Sequence, residues 1–146
     1  MGLFGKIKDK LGVGGVRAEL QQIPDSLARD GGSIQGNLVL TTKSDQEIST
    51  IKVIVQERLH KQDKSINEYT VASVNLEGNF QIQEGETKEM SFTLDYPTLM
   101  TVGDVLKAQD NMYKPLERST WRVEAQVDVK AAAIDPSDKV DVSIAY

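Results

Sequence analysis

The chain has 146 residues, with 17 Lys plus Arg against 22 Asp plus Glu, one His, no Cys and a formal charge of −5. Hydrophobic residues at 39% and charged residues at 27% suit one globular domain with a real core and exclude a disordered chain. The missing cysteines exclude disulfides, thiolate metal sites and cysteine nucleophiles. A pI near 4.9 argues against a nucleic-acid footprint, which needs clustered Lys and Arg to neutralise phosphates.

The first element is a short amphipathic helix over residues 2–11. Leu3, Phe4, Ile7 and Leu11 fall at helical spacing, with Lys6, Asp9 and Lys10 elsewhere on the wheel. It stops at Gly12, Gly14 and Gly15, whose backbone freedom suits a helix end and a change of direction. This stretch lacks the apolar centre of a secretory signal, and Lys6 stands where a myristoylation signal wants Ser or Thr, so neither cleavage nor lipidation is expected. No stretch approaches the roughly 20 apolar residues that span a bilayer, and a soluble protein is expected.

From Val16 the apolar residues recur mostly at every second position, the period of strands with one buried face. In chain order the sets after a first strand are Ile34, Gly36, Leu38 and Leu40; then Ile51, Val53, Val55 and Leu59, with Glu57 intruding on the inner face; then Ala72, Val74 and Leu76. Phe80 and Ile82 follow, then Met90, Phe92 and Leu94. Residues 97–118, including Pro97, Gly103, Asn111, Met112 and Pro115, have no sustained period and read as a long connection. Such a connection is usually functional or hides a short element, for which Val102 to Lys107 is the candidate. The clearest strand is Trp121, Val123, Ala125, Val127, Val129 and Ala131, alternating with polar partners, and the last is Val140, Val142, Ile144 and Tyr146.

Polar or glycine-bearing turns separate these runs: Pro24-Asp25, Asp30-Gly31-Gly32, Lys43-Ser44-Asp45, Glu77-Gly78-Asn79, Glu84-Gly85-Glu86 and Asp135-Pro136-Ser137-Asp138. Together the pattern predicts an all-β fold, an antiparallel β-sandwich of about eight strands with a short N-terminal helix, and excludes a parallel α/β fold. Residues 1–15 read as helix and Gly-rich turn, and 16–146 as the sandwich domain.

Side-chain chemistry is thin. His60, the sole histidine, sits on the polar parity with Lys52, Gln56 and Arg58 and reads as a solvated surface residue rather than a catalytic base. Asp128, Asp135, Asp138 and Asp141 lack the spacing of a calcium loop and read as turn residues that cap backbone amides. Gly12-Val13-Gly14-Gly15 has no Lys-Ser or Lys-Thr after it and is not a phosphate cradle. Trp121 reads as core. The apolar stripe of the helix needs a cover: its own sandwich first, then another protomer or a partner, then a membrane surface, where so few lysines would bind weakly.

Several passages carry a family resemblance. A helix with Phe4 and Lys6 runs into Val13-Gly14-Gly15. Asp30-Gly31-Gly32-Ser33-Ile34-Gln35-Gly36-Asn37-Leu38 opens a strand, followed by Gln46-Glu47-Ile48-Ser49-Thr50-Ile51-Lys52-Val53 and by Val127 through the Asp135-Pro136-Ser137-Asp138 turn. The chain resembles the SpoOM-like sporulation-control family. The resemblance implies an arrestin-like sandwich, a cytoplasmic regulator or scaffold that works by binding, and no catalytic residues or cofactors. The family usually has a second, similar sandwich, so this chain is expected to match the first domain.

The expected function is therefore that of a non-enzymatic protein that binds a protein partner or a second copy, by helix packing or sheet-edge pairing. The residues assigned to binding are Leu3, Phe4, Ile7 and Leu11, and less firmly the 97–118 segment. No catalytic, cofactor, metal or nucleic-acid site is expected. One rival is a peripheral membrane module anchored by the same helix. Another is a small-molecule or carbohydrate-binding sandwich, for which one Trp, four Tyr and three Phe are scarce material; it would need a cleft pairing Trp121 with Tyr113.

Overall fold

A computed structural model of the chain describes residues 15–99, 118–130 and 135–145. Within them lie nine strands: β1 (Arg17–Gln21), β2 (Ser26–Ala28), β3 (Gly32–Thr41), β4 (Gln46–His60), β5 (Ile66–Leu76), β6 (Phe80–Ile82), β7 (Thr87–Tyr96), β8 (Arg118–Val129) and β9 (Ser137–Ala145). They form two packed sheets. One has three strands in the order β1-β3-β7; the other has six, β2-β9-β8-β4-β5, with β6 also on β4. The sandwich expected from the two-residue period is thus present. The N-terminal helix, its four assigned residues Leu3, Phe4, Ile7 and Leu11, and Val102 to Lys107 lie outside the described residues.

The core is built from the alternating sets. Ala18 and Leu20 of β1, Ile34, Leu38 and Leu40 of β3, and Met90, Phe92 and Leu94 of β7 face Ile51, Val53, Val55, Val123, Ala125 and Val127 of the larger sheet. Gly36 shares this inward parity for a steric reason. A Cβ there would lie 2.6 Å from Phe92 Cζ and 2.9 Å from Ile23 Cδ1, so the missing side chain makes room for the ring opposite.

One expectation needed correction. The ninth strand, β2, has three residues and runs parallel to β9, so the architecture is not wholly antiparallel. In the Glu77-Gly78-Asn79 turn the positive φ (56°) belongs to Asn79 and not to the glycine. Gly78 is required by close approach instead: a Cβ would sit 2.4 Å from the Ser49 carbonyl oxygen, which accepts the Asn79 N–H at 3.0 Å.

That carbonyl belongs to an irregularity in β4. Ile48 pairs with Val129 and Thr50 with Asp128, so Ser49 is an extra residue against β8. The bulge shifts the parity of the strand and lets Ile48 and Ile51, three positions apart, both face the core. A second irregularity lies between β4 and β5, where Val55 pairs with Ala72 and Gln56 with Thr70, leaving Val71 over. Even-numbered residues of β5 therefore change sides: Ala72, Val74 and Leu76 pack on the core, while Ile66, Glu68 and Thr70 join the outer face opposite His60, Arg58 and Gln56.

The Asp-Pro-Ser-Asp turn ties three strands together. The Val129 N–H donates to Asp135 Oδ1 at 3.2 Å, the Val127 N–H to the Pro136 carbonyl at 3.2 Å, and the Leu20 N–H of β1 to Asp138 Oδ2 at 2.7 Å. Asp135 and Asp138 cap backbone amides, as sequence reading had assigned them.

Candidate interaction surface

The outer face of the larger sheet is organised by the long central strand. β4 has 15 residues and pairs with β8 along one side and β5 along the other, which brings Gln56, Arg58 and His60 between Arg122 and Thr120 of β8 and Glu68 of β5. Arg122 is the hub. Its Nε donates to Gln56 Oε1 at 2.7 Å, and its Nη2 lies 2.8 Å from Glu68 Oε2 and 3.3 Å from Glu124 Oε1. Arg58 Nε donates to the same Glu68 oxygen at 3.0 Å, and Gln126 Nε2 donates to Glu124 at 3.1 Å. The side chains of Arg122 and Glu124 are only 11% and 10% exposed, whereas Arg58 and Glu68 are 27% and 41% exposed, so the network in which two cations meet two anions is desolvated at one end only.

His60 ends the row. Its Nε2 is 2.8 Å from Thr120 Oγ1. Burial, then the positive charges of Arg118 and Arg58, hold its imidazole below the ordinary pKa. The shift favours the neutral ring over the imidazolium.

The β4–β5 turn that follows carried no expected turn signal. Lys61 and Ser65 close it through a 2.9 Å backbone bond, Lys64 sits at φ 70°, and Asp63 accepts the Ser65 N–H at 2.9 Å. The Ser65 side-chain hydroxyl, and then its N–H, hold the Asp63 carboxyl below the usual carboxylate range.

On the core face, Glu57 is buried opposite Trp121 and Tyr69, and accepts the Ser119 hydroxyl. It intrudes where the sequence placed it. Trp121 is 4% exposed and belongs to the core, so it lines no open cleft; Tyr113 lies outside the described residues. Asp128 and Asp135 border a shallow depression with Lys52 and Ser137. Among the described residues no three acidic or imidazole groups gather as a cation site would require.

On one side of the sandwich the edge strands of the two sheets are long and lie close to each other. β5, with 11 residues, and β7, with 10, each pair with a single strand and lie at adjacent edges of the two sheets. The opposite side ends in short strands, β1 of five residues and β2 of three. β7 carries Lys88, Glu89 and Asp95, with Lys88 Nζ 4.3 Å from the Phe80 ring centroid. β5 differs: its one charged residue, Glu68, is held by Arg58 and Arg122, and Ile66 and Tyr69 are the exposed large hydrophobics, each at 40%. Sequence reading missed this surface because Ile66 to Val71 carry no clean alternation once the bulge breaks the parity; Tyr69-Thr70-Val71, a β-favouring run, was the available signal.

The family model described as SpoOM protein matches residues 4–145. This chain belongs to the SpoOM protein family. The crystal structure of Spo0M, sporulation control protein, from Bacillus subtilis is similar in fold, with a TM-score of 0.68 and 23% identity over 90% of this chain. The chain spans about half, 49%, of that protein's length. No curated protein matches.

Proposed function

We propose that this member of the SpoOM family is a non-enzymatic regulatory or scaffolding protein of the cytoplasm, which docks other proteins through an arrestin-like sandwich and its N-terminal helix. The observation that carries the reading is the long β5 edge, whose outward strand face is unpaired among the described residues. An unpaired edge offers a ladder of backbone donors and acceptors to an incoming strand. The neighbouring charged side chains are engaged with one another, which supports a surface built for docking more than for turnover. Leu3, Phe4, Ile7 and Leu11 supply an apolar stripe as a second contact.

The test compares the full chain with a variant lacking residues 1–11. Each is tagged and cross-linked in the cell of origin, and the partners recovered from the full chain are purified and titrated against both forms. The reading expects direct binding that the deletion abolishes while the sandwich still melts cooperatively. A truncated protein that fails to fold would place the helix in the core and overturn its assignment to binding. Pelleting of the full chain with anionic vesicles at low salt, without a protein partner, would replace the reading with membrane anchoring.

A further inference from the structure

We infer that the outer face of the larger sheet is a docking surface for the chain's own β7–β8 connection, residues 100–117, which lie over Ile54. In a sandwich each sheet buries one face against the other sheet and leaves its second face to solvent. β4 departs from this rule. From Val53 to Glu57 it is buried on both faces, and the outward members of that run are Ile54, 3% exposed, and Gln56, 8%. Ile54 pairs with Glu124 of β8 and Ser73 of β5, and Glu124 is buried as well. The patch is bounded, since Lys52, Gln126 and Ser73 are exposed around it. On the β8 side the Arg122 network flanks Ile54; on the β5 side its neighbour is Ser73, too short to shield an isoleucine. Among the described residues no strand packs on this face, because the three-stranded sheet lies against the other one. This is the burial of a single chain, so the cover is a further part of that chain.

Reach selects which part. Residues 131–134 join β8 to β9, and the bond from the Val129 N–H to Asp135 holds that turn at the strand ends. Four residues extend at most about 14 Å, whereas Glu124 lies about 17 Å from Val129 along the strand. Residues 1–14 join at Gly15, where a Cβ would lie 2.9 Å from Lys43 Cβ, just before the start of β4. From there Ile54 is about 26 Å further along β4 and on the far side of a sandwich about 10 Å thick. With residues 2–11 helical, that segment extends only about 25 Å and falls short.

The β7–β8 connection is better placed. It leaves from Leu99, whose N–H donates to the Arg29 carbonyl at 2.7 Å, and the Arg29 N–H in turn bonds the Ala145 carbonyl at the end of β9, level with the start of β8. It returns at Arg118, which pairs with His60 and heads the outward row Thr120, Arg122 and Glu124. Ile54 lies about 20 Å down this row, and 18 residues span up to about 60 Å, enough to descend and return. Chemistry agrees. Val102, Val105 and Leu106 fall at i, i+3 and i+4 in sequence, the spacing of one apolar stripe. Asp104, Asp110 and Glu117 are nearly balanced by Lys107 and Lys114, as Arg58 and Arg122 balance Glu68 and Glu124, so neither surface repels the other. The connection, a weaker binding candidate from sequence, thus belongs to the fold, and docking of other proteins is left to the sheet edge and the N-terminal stripe.

The chain has no cysteine, so introduced thiols report the cover directly. In the full chain, Ile54→Cys is expected to react with a maleimide at least about a hundredfold more slowly than Gln126→Cys, an exposed site on the same face. Adding Val102→Ser, Val105→Ser and Leu106→Ser should speed the Ile54→Cys reaction at least about tenfold and leave Gln126→Cys unchanged, with urea unfolding still cooperative. Should Ile54→Cys or the triple change fail to fold, Gln56→Cys and Val105→Ser alone carry the same comparison. An Ile54→Cys thiol that reacts as fast as Gln126→Cys overturns the inference. Protection that survives the serine changes assigns the cover to neighbouring side chains, and protection lost on deleting residues 1–11 assigns it to the N-terminus; each overturns it as well.

Discussion

Removing the Arg122 side chain tests whether the outer-face network holds the β5–β4–β8 part of the larger sheet together. Arg122→Met keeps the length and apolar stem of the residue but deletes its contacts with Gln56, Glu68 and Glu124. Glu68 retains Arg58 and remains partly solvated, so its loss is modest. Glu124, 10% exposed, loses its cation while keeping Gln126. A hydrogen bond to a charged group contributes about 1.5 to 3 kcal/mol, and breaking a fully buried pair costs about 3 to 5 kcal/mol. Partial exposure at the Glu68 end lowers the expectation to about 2 to 3 kcal/mol. At about 3 °C per kcal/mol for a domain of this size, melting should fall by about 6 to 9 °C. Urea unfolding checks the figure, provided the slope of the transition is unchanged. Glu124→Gln alone should cost less, and the double variant should fall short of the sum by about 1 kcal/mol, which reports the coupling. A loss for Arg122→Met within about 0.5 kcal/mol, with additive behaviour in the double variant, would refute the network as a stabilising device.

His60 sets a pH dependence. Its folded pKa is depressed, so the unfolded chain binds the proton more readily, and stability falls as pH drops below the ordinary value of about 6.5. His60→Gln should flatten the change in urea midpoint between about pH 7.5 and 5.5; an equally steep fall in the variant would assign the effect elsewhere. Gly78→Ala should cost about 1 to 3 kcal/mol in the same assay, because the added methyl meets the Ser49 carbonyl at 2.4 Å; a neutral result would mean that the turn moves away from the bulge. Trp121, the only tryptophan, should emit at short wavelength and shift red in a single step with urea, and Trp121→Ala should cost about 3 to 5 kcal/mol. Emission characteristic of a water-exposed indole in the native protein would contradict its placement.

The parts of this fold that were readable from sequence are those in which the chain stays regular. From Trp121 to Val129 every second residue is buried, with Glu124 the one polar exception that the network then desolvates, so the period alone identifies β8 and its inner face. The Asp-Pro-Ser-Asp turn was legible as a capping turn through Asp135, which accepts the nearby Val129 N–H, whereas the reach of Asp138 to Leu20 of β1 depends on the tertiary fold. What escaped notice depends on pairing partners. Ser49 and Val71 are extra only relative to β8 and to β4, and nothing in either residue announces it. Once Val71 is left over, the alternation of β5 inverts, and Glu68 moves to the face where Arg58 and Arg122 wait. The three-residue β2 escaped for a different reason: its support is a parallel pairing to β9, with the Ser143 N–H donating to the Asp25 carbonyl at 2.9 Å, well over a hundred residues away in sequence.

The same bulge links the network to the unpaired edge of β5. Without it, Glu68 would share a face with Ala72 and Val74 and would place a carboxylate at the rim of the core, the inward charge that keeps edge strands apart. With it, Glu68 turns outward, is neutralised by Arg58 and Arg122, and leaves Ala72–Leu76 apolar on one side and uncharged on the other. Stability of the larger sheet and availability of its edge thus depend on one carboxylate. Arg58→Gln removes the more exposed of its two cations and keeps Arg122 in place. It is therefore expected to lower melting by no more than a few degrees, with the loss shrinking as salt screens Glu68. Urea unfolding at two salt concentrations reads the effect. A loss that is indifferent to salt would separate Arg58 from the ion-pair network.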